Sequence, residues 1–205
     1  LWIDVIRGIS ILAMITFHFA FDMMYFGFAK PDLIYQPDWR LFERMIAFSF
    51  LFIAGLSLSI THGAWINWKS FIRRYGVTAI CAVLISTVTY ILFSDDMIRF
   101  GILHAISVSG LIGLLLLKLN TFPLVLLAIM ISFININIPK PLEGHYFWQW
   151  LIYTTNTPNS LDYRPIVPWI TPFILGMASH QLFKKWDLLE KGNANNYREP
   201  SILSW

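Results

Sequence analysis

Long apolar runs separated by short clusters of charge dominate this chain. A membrane helix needs about 20 mostly apolar residues, at about 1.5 Å each, to cross roughly 30 Å of hydrocarbon. Six stretches meet that length: about 3–28, 45–68, 75–94, 100–117, 119–139 and 165–183. The first is the most polar, and the second contains no Asp, Glu, Lys or Arg. The third lies between Arg73-Arg74 and Asp95-Asp96, and the fourth between Arg99 and Lys118. The fifth carries Pro123, Asn135 and Asn137, and the sixth ends at Lys184-Lys185. Strands of a membrane barrel would be shorter and would alternate in polarity, so helices are predicted. The expected fold is an all-α integral membrane protein, a bundle of about six transmembrane helices. Residues 140–164 are too polar to cross. Within them Tyr146-Phe147-Trp148-Gln149-Trp150 reads as an aromatic segment lying at an interface.

Composition supports this pattern. Of 205 residues, 57% are hydrophobic and only 13% charged. An average soluble domain carries about 25% charge. Half that density cannot cover a water-soluble globule, which excludes disorder, a nucleic-acid-binding module and an ordinary cytosolic enzyme. The single Cys81 excludes an internal disulfide. Residues 1–190 are expected to form one transmembrane domain, and 191–205 a polar C-terminal tail. The chain opens on Leu1 rather than Met, so further residues are expected before it. Its first apolar stretch does not read as a signal peptide, because Asp4, Arg7, His18 and Asp22 interrupt it.

Lys and Arg in short loops set orientation. Six crossings put the N-terminus, the second and fourth loops and the tail on one side. That side holds the Arg73-Arg74 and Lys184-Lys185 clusters, with Lys69, Lys118, Lys191 and Arg198. Both termini are therefore expected in the cytoplasm, and the protein in a bacterial inner membrane.

Charged groups inside a membrane helix usually face a bundle interior, a partner or a water-filled cavity. The first span has four ionisable groups. Positions 7, 11, 14, 18 and 22 form one stripe on a helix. Arg7 and His18 share a face about 16 Å apart in height, so they can line one groove without touching. His18 and Asp22 are one turn apart. That pair suits a general base whose imidazole is oriented by a carboxylate. The bland alternatives are a structural polar pair for His18 and Asp22, and snorkelling to the headgroups for Asp4 and, less readily, Arg7. The fourth span opens Arg99-Phe100-Gly101-Ile102-Leu103-His104, which places His104 near the outer boundary, where it could meet His18. His104 could instead bond a neighbouring helix. His62 and His180 read as interface residues. No HExxH or CxxC pattern is present, so no metal is expected. Phosphate loops, dinucleotide fingerprints and nucleophile elbows are also missing.

The first span reads Asp4-Val5-Ile6-Arg7-Gly8-Ile9-Ser10-Ile11-Leu12-Ala13-Met14 and continues to His18 and Asp22. It resembles the opening helix of the heparan-α-glucosaminide N-acetyltransferase catalytic-domain family, particularly its short bacterial members, with an Asp-x-x-Arg-Gly start. Three later pieces fit in order: Phe48-Ser49-Phe50-Leu51-Phe52-Ile53-Ala54-Gly55, Phe100-Gly101-Ile102-Leu103-His104, and Val167-Pro168-Trp169-Ile170 to Leu175-Gly176. More broadly, an Arg followed eleven positions later by a His resembles the signature of the transmembrane acyltransferase superfamily, and Arg7 and His18 match it. The resemblance implies transfer of an acetyl group from cytoplasmic acetyl-CoA to a sugar on the far side. One departure stands out. The longer animal enzymes place their reactive His in the loop after this helix, and residues 29–40 here contain none. An acetyl-histidine mechanism at that loop is therefore not carried over.

The combined expectation is an acyl-CoA-dependent membrane acyltransferase, with acetyl-CoA as donor, a carbohydrate or glycan as acceptor, and no metal or nucleic acid. Arg7, Arg73 and Arg74 would meet the CoA phosphates as cations. His18, oriented by Asp22, would deprotonate an acceptor hydroxyl or amine, with His104 as the other candidate base. Arg99, His104 and Trp169 would shape the acceptor end. Lipids surround the protein, and a homo-oligomer is left open. The alternative is a small transporter or flippase whose buried charges line a passage.

Overall fold

The computed structural model describes residues 2–63, 65–137, 148–153 and 159–185. Six α-helices follow in order: α1 Trp2–Tyr25, α2 Pro37–His62, α3 Trp68–Leu92, α4 Ile102–Leu116, α5 Thr121–Asn137 and α6 Ile166–Lys185. Among the described residues there is no β-strand, and Phe100 with Tyr163 and Ile152 with Val167 form isolated bridges. Each helix overlaps a predicted span, so the chain is an all-α membrane protein. By length and composition α1, α2 and α3 are able to cross a bilayer, while α4 and α5 are shorter apolar helices. The predicted tail 191–205 and the aromatic residues 146–147 lie outside the described residues. Trp150, from the same aromatic stretch, packs against the core, with its ring 6.3 Å from that of Phe100.

Two helices start earlier than their apolar runs. The helix α2 begins at Pro37 rather than near 45, and α3 at Trp68 rather than near 75. Pro37 stands in the first turn, where its missing N–H costs no helical hydrogen bond. Asn67 accepts a hydrogen bond from the Ser70 N–H at 3.1 Å and caps α3. Polar first turns can remain helical outside hydrocarbon, so Arg73 and Arg74 lie on a helix instead of in a loop.

Side-chain pairs set the directions. Arg7 meets Ser57, and Phe17 meets Trp39, so α1 and α2 run antiparallel. Ser86 meets His104, and Thr121 meets Gln181, so α3 with α4 and α5 with α6 do the same. By contrast α2 and α6 run parallel. Glu43 pairs with Arg164 and Ser59 with His180, and both pairs are 121 positions apart. One end of the bundle therefore gathers the start of α1 and the ends of α2 and α6. The opposite end, called here the far end, gathers the starts of α2, α4 and α6.

The core lies where α2, α4, α5 and α6 meet. Leu51, Leu58, Leu124, Phe173, Ile174 and Met177 are fully buried there. The α2–α6 contact is backbone to backbone. A Cβ on Gly55 would strike the Phe173 carbonyl, and one on Gly176 would strike the Phe52 carbonyl and lie 2.8 Å from the Leu56 nitrogen. Small residues permit such an approach between membrane helices, where packing and hydrogen bonds rather than hydrophobicity drive association. By contrast, α1 and α3 are peripheral. Ile9, Leu12 and Phe19 of α1 and Ile80, Val83 and Ile91 of α3 are exposed, as lipid-facing side chains are.

Gly176→Ala should lower the midpoint of thermal unfolding in detergent, with a cost of about 1–3 kcal/mol typical of overpacking. Gly8→Ala is the control, since a Cβ there meets nothing within 4 Å. Equal midpoints for the two variants would refute the close α2–α6 contact.

Candidate functional site

The far end gathers ion pairs, a cation–π contact and aromatic rings. The segment before α6 folds back over the start of α4. The Arg164 N–H donates to the Phe100 carbonyl at 2.8 Å, and the Leu161 N–H to the Asp96 carbonyl at 2.9 Å. This brings Asp162 to the N-terminus of α4, where its Oδ2 accepts the Ile102 N–H at 2.7 Å. A carboxylate at that position satisfies an otherwise orphaned donor and meets the positive end of the helix dipole. Gly101 has no side chain because the space is taken. A Cβ would lie 3.0 Å from Asp162 Cγ and 2.9 Å from Ile98 Cγ2.

Arg164 is the hub. Its Nη2 pairs with Glu43 Oε1, its Nη1 donates to the Tyr163 carbonyl at 3.0 Å, and its Nε lies 3.6 Å from Asp162 Oδ1. Its guanidinium carbon lies 4.7 Å from the Trp169 ring centroid, within cation–π range. The Trp169 indole N–H donates to the Tyr153 hydroxyl at 2.9 Å. Burial pushes the Asp162 carboxyl above the usual carboxylate range, against the pull of Arg164 and the Ile102 N–H. Arg164 is shifted up, because Asp162 and Glu43 outweigh the cost of its burial. Burial, with Tyr153 alongside, pushes the Tyr163 phenol up to about 12.

His104 is drawn into the same end. Its Nδ1 accepts the Gly101 N–H at 3.3 Å, and its Nε2 faces the Ser86 hydroxyl at 3.4 Å. That hydroxyl donates to the Ile98 carbonyl at 2.6 Å. With Nδ1 accepting, the proton of a neutral ring lies on Nε2. Both nitrogens are thus engaged within the protein.

The other predicted residues fall in three places. His18 and Asp22 are both exposed on α1, and no hydrogen bond joins them among the described residues. Contact of the neighbouring Phe17 with Trp39 sets His18 level with the first turns of α2. Arg7 pairs with Asp4 at 2.7 Å and donates to Ser57 Oγ at 3.3 Å. Arg73 and Arg74 line an open cleft of about 680 Å³ with Asn67, Lys69, Ser70 and Val77. Arg7 is not part of that lining, so the three proposed phosphate-binding cations do not share one cleft. Arg99 is exposed beside Phe100, and Trp169 stands under Arg164.

Glu43, Tyr153, Asp162 and Arg164 had no role in the site as read from the sequence. Glu43 and Arg164 look like ordinary loop charges when only hydropathy is read. The available signal was the nearness of Asp162 and Arg164 to the Pro-Trp segment at 168–169.

The sequence pattern of the family described as "Heparan-alpha-glucosaminide N-acetyltransferase, catalytic" matches residues 1–204. Comparison with curated proteins gives no match, and comparison with solved structures gives none.

Asp162 should make stability depend on pH. Its carboxyl is raised in the folded state, so across the window from the unfolded value, about 3.9, up to the folded one the native protein binds more protons than the unfolded chain. Stability therefore falls as pH rises through that window. Asp162→Asn keeps an oxygen for the Ile102 N–H and cannot titrate. The stability of wild type relative to this variant should decline from about pH 4 upward and then level off. A difference that does not change with pH would show that the carboxyl is not raised.

Proposed function

The chain belongs to the heparan-α-glucosaminide N-acetyltransferase catalytic family, and from that premise we propose that it moves an acetyl group from cytoplasmic acetyl-CoA to a sugar hydroxyl or amine on the opposite face of the membrane. The observation that carries this reading is the match over nearly the whole chain. The contrast between the two ends of the bundle supports it. One end offers a basic cleft, and the other a cluster of carboxylates, a guanidinium and aromatic rings.

In this reading the CoA phosphates meet Lys69, Arg73 and Arg74 in the cleft. Helix α3 begins there, and basic side chains near a helix N-terminus suit polyphosphate. Arg7 forms a separate cationic point at the same end of the bundle. It is partly neutralised by Asp4 and would steer the pantetheine arm along α1. His18 is the proposed base. Its exposed ring supports the choice over His104, both of whose nitrogens are engaged. Asp22, one turn on, would orient that ring once a substrate orders it. The acceptor O–H or N–H proton passes to the imidazole as the acceptor atom bonds to the acyl carbon. The C–S bond breaks, and the CoA thiolate leaves and takes the proton back from the imidazolium, which returns His18 to its neutral form. Arg99 and Trp169 are proposed to face the acceptor. Residues 1–190 would act as one domain, in a bacterial inner membrane with both termini cytoplasmic.

Orientation is tested by labelling. Single cysteines replacing Asn67 and Asn159 should react from opposite faces of intact spheroplasts, Asn67 from the inside. Labelling from one face would remove the six-span arrangement.

Chemistry is tested with purified protein, acetyl-CoA and a panel of sugars. Wild type should consume thioester in step with sugar acetylation. A carrier would transport sugar and leave the thioester intact. General-base catalysis contributes about 10²–10⁴-fold, so His18→Ala should slow transfer by about that factor while CoA still binds. Asp22→Asn should cost less. Arg7→Ala should weaken CoA binding, and Arg7→Lys should restore part of it. If His18→Ala lowers thermal stability but not activity per folded molecule, His18 is a structural residue.

A further inference from the structure

His62 is the last residue of α2, only 3% exposed, and takes no part in the chemistry above. Its ring faces the start of α3. Nδ1 accepts the Asn67 N–H at 3.2 Å, and the ring meets Phe71 edge to face with centroids 5.9 Å apart. Phe71 is stacked in turn on Tyr75 at 4.6 Å, and both are buried. Asn67 is where the backbone turns into α3. Its Oδ1 accepts the Ser70 N–H at 3.1 Å, and its carbonyl accepts the Phe71 N–H at 2.9 Å. Asn67 also lines the basic cleft, together with Lys69, Ser70, Arg73 and Arg74. Every residue of that lining belongs to α3 or caps it. The cations of the cleft are therefore placed by the direction in which α3 sets out, and His62 ties the cap of that helix to the end of α2.

Stability alone does not call for a histidine at this position. Asn67 is exposed, and water can satisfy an exposed N–H. An aliphatic side chain would fill the space beside Phe71 without the cost of burying a polar ring. What the imidazole adds is direction. With Nδ1 accepting, the proton of the neutral ring lies on Nε2, and the lone pair of Nδ1 fixes the line along which the Asn67 N–H must point.

We propose that His62 is a positioning residue for the donor: it holds the Asn67 cap so that Lys69, Arg73 and Arg74 stand at the spacing that the CoA phosphates require. The inference rests on the reading of the basic cleft as the CoA phosphate site. His62 acts through Asn67 and not on the donor itself. A loose cap would let the first turns of α3 shift, and backbone as well as side chains would have to be ordered when the phosphates bind. A fixed cap leaves only the side chains to be ordered.

The test is CoA binding to the full protein in nanodiscs, measured by titration calorimetry, together with steady-state kinetics. His62→Asn carries an oxygen at the place of Nδ1. His62→Gln carries its polar group nearer the place of Nε2, and His62→Leu keeps bulk without an acceptor. His62→Leu and His62→Gln should weaken CoA binding about three- to tenfold, the range for one net hydrogen bond, and raise the acetyl-CoA KM in step. His62→Asn should restore most of the affinity. The acceptor KM, and kcat at saturating acetyl-CoA, should stay within about twofold, since the far end is untouched. Equal losses of affinity in His62→Asn and His62→Leu would overturn the proposal, because they mark lost packing rather than a lost acceptor. If His62→Leu does not fold, His62→Asn and His62→Gln carry the comparison, and equal affinity in those two overturns it. Wild type that binds CoA while every folded variant matches it defeats this inference alone. Wild type that binds no CoA defeats the donor reading and this inference together.

Discussion

The backbone contact between α2 and α6 is the constraint on which the rest of this molecule depends. Gly55 and Gly176 let two parallel helices touch through their main chains. Lipid offers no hydrophobic force to bring helices together, so close packing must do so. Once these two are joined, a constant offset carries through to both ends of the bundle. Ser59 meets His180 at one end, and Glu43 meets Arg164 at the other. The helices α4 and α5 fill the remaining sides of the core, while α1 and α3 stay at its edge.

That arrangement separates two chemistries by the length of the bundle. The basic cleft at the start of α3 is open and lined by flexible cations, as suits a charged ligand that must enter and leave. The far end is tighter. Asp162 caps α4, Arg164 bridges three chain segments, and Trp169 is held between Arg164 and Tyr153. Charges so poorly hydrated persist only when mutually paired. The cluster therefore draws α2, the start of α4 and the start of α6 into one unit. The proposed reaction calls for such a division, because its donor and acceptor would approach from opposite faces.

The two histidines illustrate how environment separates similar residues. Hydropathy alone makes His18 and His104 equivalent, each one ring in an apolar helix. His104 sits in the first turn of α4, where the Gly101 N–H and the Ser86 hydroxyl occupy its nitrogens. His18 lies on the exposed side of a peripheral helix, with Phe17 as its ring neighbour. Any role for His18 in proton transfer thus depends on what fills the space beside α1.

The sequence by itself determined the number of helices, their approximate limits and the family. Bilayer thickness imposes a length on each apolar run, and that length is a property of consecutive residues. The Asp-x-x-Arg-Gly opening and the Pro-Trp segment are local in the same sense. Helix starts at Pro37 and Trp68 were less legible, because polar first turns outside hydrocarbon leave no hydropathy signal. Only the tertiary structure decided which charges meet. Glu43 and Arg164 carry no periodicity that links them, and their contact follows from the register of α2 on α6. Likewise nothing local separates Arg7 from Arg73 and Arg74. They part because α1 packs on α2 and α3 on α4, so the cations stand on different edges of one bundle. Apolar length is written residue by residue, whereas the company a charge keeps is set by the packing of helices distant in sequence.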